Sequence, residues 1–141
     1  MSIAEFGMGL LDPAALTAGL SVAAVSGVTT PTLTGLQVIQ TNSTVHGNFA
    51  DVWGTFSFTA SATTAVLDLT LPVALTDVFA DAAQVQGVAN VLTGTGLGNM
   101  TALVTTAGTR NIRATFELGS GAGVYTINFA FKIVINQNLT V

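Results

Sequence analysis

Two neighbouring stretches decide the fold class: Val52-Trp53-Gly54-Thr55-Phe56-Ser57-Phe58-Thr59 and Ala65-Val66-Leu67-Asp68-Leu69-Thr70-Leu71. Successive side chains of a β-strand point to opposite faces, so a period of two sorts a sequence into a buried row and an exposed row. Phe56 and Phe58 share one face of the first stretch. Leu67, Leu69 and Leu71 share one face of the second, with Asp68 and Thr70 on the other. Pro72, which has no N–H to give to a ladder, closes it. The intervening Ser61-Ala62-Thr63-Thr64 predicts a hairpin connection.

Working outward, the same alternation recurs. Upstream, residues 36–40 and 44–49 read as strands. Downstream, an irregular loop over 76–83 leads to a strand over 84–89, and a glycine-rich break over 93–98 leads to another over 100–105. Gly108-Thr109 turns the chain into a strand over 111–116, where Ile112, Ala114 and Phe116 share a face. Gly119-Ser120-Gly121-Ala122-Gly123 turns it again into 124–133, read as the longest strand. About eight strands at spacings of roughly 10–15 residues predict an all-β fold, an antiparallel β-sandwich or jelly-roll-like body over residues 32–141. No internal repeat of fixed period and no coiled-coil heptad is present.

Residues 1–31 read differently. Asp12-Pro13-Ala14-Ala15-Leu16 is a helix start, with Asp as N-cap, Pro at the first helical position and good helix formers behind it. Gly19 ends that helix after about two turns, and a helix so short needs something to dock on. Leu10, Leu11, Leu16 and Leu20 give it an apolar surface with little charge. The reading is a short N-terminal arm or anchor that packs on a neighbour, punctuated from the body by Gly27-Val28-Thr29-Thr30-Pro31.

Composition narrows the function. Half of the 141 residues are hydrophobic, only 7% are charged, and 22 are Thr. Three basic residues cannot neutralise a run of phosphates, so no nucleic-acid partner is expected. The high apolar content also argues against disorder. With no Cys there is no disulfide scaffold, thiolate metal site or cysteine nucleophile. The most apolar stretch, from Met8 to Val28, is interrupted by Asp12, Pro13, Thr17, Ser21 and Ser26, which disfavours a spanning helix. No basic n-region precedes it, so the chain reads as unprocessed and made in the cytoplasm, with no membrane partner. The surface of a free monomer would be apolar, threonine-rich and nearly uncharged, and such surfaces mark contact with a partner. Threonine favours strands and its hydroxyl bonds across them, while Gly87, Gly94, Gly96 and Gly98 allow close backbone approach. Such a surface suits tight packing between β faces of neighbouring subunits.

Candidate sites carry little. His46 is the single histidine, so no multi-histidine metal site exists. No serine lies in a nucleophile elbow, and Gly119-Ser120-Gly121 reads as a turn. Thr93-Gly94-Thr95-Gly96-Leu97-Gly98 has phosphate-loop composition without the following Lys. Asp77 and Asp81, four apart in a loop, are the one pair that could serve a glycosidase or hold calcium; solvated loop carboxylates are commoner. No catalytic residue, metal ligand or cofactor is implied.

The order of segments from Val45 to Ile135 resembles a domain of small accessory virion proteins of tailed bacteriophages. The residues that carry this are Trp53-Gly54-Thr55-Phe56-Ser57-Phe58-Thr59, Leu67-Asp68-Leu69-Thr70-Leu71-Pro72-Val73, Val85-Gln86-Gly87-Val88-Ala89, Ile112-Arg113-Ala114-Thr115-Phe116 and Tyr125-Thr126-Ile127-Asn128-Phe129-Ala130-Phe131-Lys132-Ile133. The pattern is similar to capsid cement or decoration proteins and to head- or tail-fibre modules. The resemblance implies a trimeric β-sandwich displayed on the virion exterior.

The expectation is therefore a non-enzymatic structural protein of the virion. It forms a homotrimer, and its arm, through Leu10, Leu11, Leu16 and Leu20, binds the major capsid protein or another virion protein. The alternative is a fibre or adhesin module that binds host-surface glycan. That reading needs exposed aromatic rings for stacking, and Trp53 and Tyr125 are its candidates.

Overall fold

The computed structural model describes residues 19–43, 47–73, 75–96 and 98–134. These form eight strands: β1 (Ser21–Ser26), β2 (Val28–Ser43), β3 (Gly47–Ala60), β4 (Thr64–Thr70), β5 (Gln86–Thr93), β6 (Asn99–Thr105), β7 (Asn111–Glu117) and β8 (Gly123–Val134). They make two four-stranded sheets, ordered β1-β4-β7-β6 and β2-β3-β8-β5. Every pairing is antiparallel, and the two sheets pack as an all-β sandwich.

The period-two reading places the core. In β3 the even residues Ala50, Val52, Phe56, Phe58 and Ala60 are buried, and in β8 the odd residues Tyr125, Ile127, Phe129, Phe131 and Ile133 are buried. Leu67, Leu69 and Leu71 meet them from the facing sheet, with Ile112, Ala114 and Phe116 of β7 beside them. Aromatic rings hold the middle: Phe56 stacks on Phe129 with centroids 4.3 Å apart, and Phe58 lies 6.0 Å from Tyr125. Such pairs add about 0.5–1.5 kcal/mol each beyond the area they bury. Among the described residues every buried side-chain nitrogen and oxygen has a hydrogen-bond partner.

Several expectations change. Ser61–Thr63 is not a hairpin: β3 and β4 belong to different sheets, and this segment arches between them. It is held by Ser61 N–H donating to the Gly27 carbonyl at 2.9 Å and by Leu118 N–H donating to the Thr63 carbonyl at 2.7 Å. The strand expected over 124–133 is present as β8, but β2 and β3 are longer. The segments expected over 44–49 and 52–59 meet in one strand, β3, as far as they are described.

The boundary of the arm also moves. Ser21–Ser26 is an edge strand paired to β4, and Val28 onward is already β2. Leu20, assigned to the arm's contact surface, is buried in the chain's own core at 8% exposure. Its neighbour Val22 pairs with Leu69 and packs on the same core, so burial within the chain claims these apolar residues. Leu10, Leu11, Leu16 and the helix start at Asp12 lie outside the described residues.

Candidate functional site

The two outer faces of the sandwich differ in kind. On the β1-β4-β7-β6 sheet, Asp68, Arg113 and Glu117 point outward, in the cross-strand pairs Asp68 with Arg113 and Thr64 with Glu117. Arg113 grips Asp68 with two bonds, Nε to Oδ1 at 2.8 Å and Nη2 to Oδ2 at 2.9 Å. That hydrogen bonding, helped by the carboxylate's charge and opposed by partial burial, raises the Arg113 pKa above its ordinary value. Thr64 Oγ1 donates to the Glu117 carboxylate at 2.9 Å, and Thr70 Oγ1 to Asn111 Oδ1 at 2.8 Å. This face is tied together by side-chain hydrogen bonds and a bidentate ion pair whose carboxylate is largely buried.

The outer face of the β2-β3-β8-β5 sheet carries one ion pair and little other charge. Its rows follow from the register. Thr32, Ser57, Thr126 and Thr93 lie across one row, and Thr34, Thr55, Asn128 and Asn90 across the next. Thr55 Oγ1 donates to Asn128 Oδ1 at 2.8 Å and Thr32 Oγ1 to the Ser57 carbonyl at 3.2 Å. Beyond these the face turns apolar. Gln37, Trp53, Ala130 and Val88 make a row, followed by Ile39, Asp51, Lys132 and Gln86, then by Phe49 and Val134. Ile39, Val88 and Val134 are 53%, 63% and 67% exposed, high for large apolar side chains. Lys132 Nζ lies 3.7 Å from Asp51 Oδ1 and 4.5 Å from the centre of the Phe49 ring, so the single cation of this face is neutralised locally.

Ala130 is small and its row neighbours are large, which leaves a trough of about 280 Å³ above it. Trp53 and Val88 form its walls, and Asp51, Gln86 and Lys132 close one end. It lies just below the usual range for small-molecule sites, roughly 300–1,000 Å³. An indole wall with a carboxylate, an amide and an ammonium beside it can stack an apolar face and hydrogen-bond hydroxyls.

The two aromatic candidates separate. Trp53 lies on this outer face, half-buried and against the trough. Tyr125 is fully buried and is not available to a ligand. It shares the buried parity of Ile127 and Phe129, and its hydroxyl is used internally: it donates to the Thr95 carbonyl at 2.5 Å and accepts from Ser120 N–H at 3.0 Å. Tyr125 thereby ties the β5–β6 and β7–β8 connections together. The glycine-rich break lies against the same ring, since a Cβ on Gly94 would overlap the ring carbons of Tyr125. Close approach at Gly94, and likewise at Gly87 against Leu103 and the Ala130 carbonyl, serves packing within the chain and not between subunits.

Asp77 and Asp81 are exposed in the β4–β5 connection, where the Asp81 carbonyl accepts from Thr105 Oγ1 at 2.8 Å. No group of three or more metal-ligating side chains occurs among the described residues, and His46 lies outside them. Among the described residues no helix is long and apolar enough to cross a membrane. Sequence reading had missed Ile39, Phe49, Val88 and Val134 as one surface. Each sits at outward parity, but only the pairing of β2, β3, β8 and β5 brings them together. No family model, no curated protein and no solved structure matches the chain.

Proposed function

We propose that the protein is a structural, homotrimeric accessory protein of a virion shell, acting by packing and not by catalysis. The observation that carries this is the outer face of the β2-β3-β8-β5 sheet, which presents Ile39, Val88 and Val134 largely exposed beside Phe49 and Trp53, with its one ion pair neutralised internally. Exposed apolar surface of this kind is characteristic of a face covered by another protein. The virion assignment rests on the resemblance of the strand pattern to phage decoration and fibre modules. Shell attachment belongs in this reading to residues 1–18, with Leu10, Leu11 and Leu16; Leu20 serves the core.

The test uses purified chain and chain lacking residues 1–18, mixed with empty capsids. Full-length protein is expected to bind saturably, and the truncated body to stay folded and unbound. Equal decoration of shells by the truncated body would remove the attachment assignment. No binding by full-length protein would remove the shell assignment itself.

A second reading has its own observation, the trough beside Trp53. A glycan ring stacked on the indole and bonded by Gln86, Asp51 and Lys132 fits its chemistry. The readings diverge at Trp53: glycans would quench its fluorescence in the assembled protein only if the trough stays open.

A further inference from the structure

We infer that the trough above Ala130 takes one neutral pyranose ring, with its apolar face on the Trp53 indole and one hydroxyl bridging Lys132 and Asp51, and that Ala130 sets the size of the ring admitted. This deepens the glycan reading and rests on it, since the trough has to stay open in the assembled protein.

One small residue makes the trough. Trp53, Ala130 and Val88 stand side by side across β3, β8 and β5. The two large residues are two strand spacings apart, about 10 Å at the backbone. Only the Ala130 methyl group rises between them, which leaves the opening of about 280 Å³. Sites for drug-sized ligands run to roughly 1,000 Å³. The trough therefore suits a single ring and not several in a row.

The walls set one half of the ligand's character. An indole face and a valine side chain offer no acceptor, so they favour a ring with an apolar face. A pyranose has one, formed by its C–H groups, and carries its hydroxyls on the rim. An aromatic ring would satisfy these walls equally well, so the end of the trough decides.

That end is a row of three polar side chains, Asp51, Lys132 and Gln86, again side by side across β3, β8 and β5. Lys132 Nζ is held over the Phe49 ring, 4.5 Å from its centre, and stands 3.7 Å from Asp51 Oδ1. The charges attract at that distance, but it is longer than a hydrogen bond. The ammonium keeps donors, and the carboxylate keeps acceptors, for a third group between them. A hydroxyl accepts from the one and donates to the other at once. The Gln86 amide, which also donates and accepts, meets a neighbouring hydroxyl in the same way. An apolar ring would cover this row without pairing it, which is unfavourable. An anionic sugar would meet Asp51 in a chain of net charge -4, where Lys132 is already neutralised. The chemistry that uses walls and end together is a neutral sugar ring.

The test titrates the purified full-length chain with the methyl glycosides of glucose, galactose, mannose and N-acetylglucosamine, and with methyl glucuronide as the anionic counterpart. Binding is followed by heat and by the emission of Trp53, the only tryptophan of the chain. The same titrations are run on Ala130→Leu, Lys132→Met and the opposite-face control Thr115→Ala, with circular dichroism to confirm folding. The expected result is saturable binding of at least one neutral glycoside, weakened roughly tenfold or more by Ala130→Leu and by Lys132→Met and unchanged by Thr115→Ala. Methyl glucuronide is expected to bind roughly tenfold more weakly than the neutral glycoside. Binding that survives Ala130→Leu and Lys132→Met unchanged would overturn the trough as the site and leave the glycan reading standing. Methyl glucuronide bound as tightly as the neutral glycoside would overturn the neutral-ring assignment. No binding of any glycoside would overturn both this inference and the glycan reading. If Ala130→Leu or Lys132→Met loses its fold, Gln86→Ala, at an exposed position, decides in its place: weaker binding supports the trough and unchanged binding overturns it.

Discussion

Replacing Tyr125 by Phe removes one oxygen from a ring that is fully buried. The ring keeps its place against Phe58, so packing is nearly unchanged. The loss falls on the backbone groups around the hydroxyl: the Thr95 carbonyl at 2.5 Å, the Ser120 N–H at 3.0 Å and the Ser120 carbonyl at 3.1 Å. A buried polar group left without a partner costs about 1–3 kcal/mol. Thr95 is exposed and Ser120 half-buried, so water partly replaces the hydroxyl, and about 2 kcal/mol is the expected total. Urea unfolding reports this through Trp53, the only tryptophan of the chain. At a slope of about 2 kcal/mol/M the midpoint should fall by roughly 1 M with the slope unchanged. Protomer concentration is held constant, because self-association, where it occurs, adds to apparent stability. A midpoint within about 0.2 M of wild type would refute the view that this hydroxyl clamps the two connections.

Gly27→Ala should destabilise far more than Gly35→Ala in thermal melts. Both glycines have positive φ, but a Cβ on Gly27 would overlap the Thr64 carbonyl, whereas Gly35 has open space; Gly35→Ala should cost only the left-handed backbone penalty of about 1–2 kcal/mol, and equal losses would contradict the account of the β1–β2 corner. Arg113→Ala should cost about 1–2 kcal/mol, more than a surface pair because Asp68 is only 8% exposed, yet less than a fully buried one because the arginine side chain is 38% exposed. A raised arginine pKa stabilises the fold at every pH below the unfolded value and fades only as pH rises through the folded one, so the arginine's share should be equal at about pH 6 and about pH 9; a penalty that vanishes at the higher pH would contradict this. Thr105→Val should cost about 1–3 kcal/mol in melting assays, because the buried Thr105 hydroxyl accepts from Ala83 N–H at 2.9 Å and donates to the Asp81 carbonyl at 2.8 Å, and an unchanged melt would contradict its role in fixing the β4–β5 connection.

The strands with unbroken alternation were legible from sequence. Leu67, Leu69 and Leu71 point inward and Asp68 outward, as a period of two requires. Trp53 and Tyr125 were offered together as exposed rings, although Tyr125 shares the parity of Ile127 and Phe129 and is buried with them. What the sequence hid is what depends on distant pairing. Asp68 has no partner nearby in the chain; Arg113, 45 residues later, reaches it only because β4 pairs with β7. The arch at Ser61–Thr63 has hairpin composition, yet the chain crosses to the other sheet to bury the leucines of β4 against the aromatics of β3 and β8. β1 falls in the stretch read as an arm, and Val28-Thr29-Thr30-Pro31 at the start of β2 reads as punctuation. Their strand character comes from β4 and β3, which supply the missing partners. The apolar outer face was invisible for the same reason, because it is spread over four strands and exists only once they are side by side.

The most direct test of the account is the solution mass of the purified chain by light scattering across a wide dilution range. The account predicts a species of three times 14.3 kDa that persists on dilution. A single species of 14.3 kDa at every concentration would contradict it.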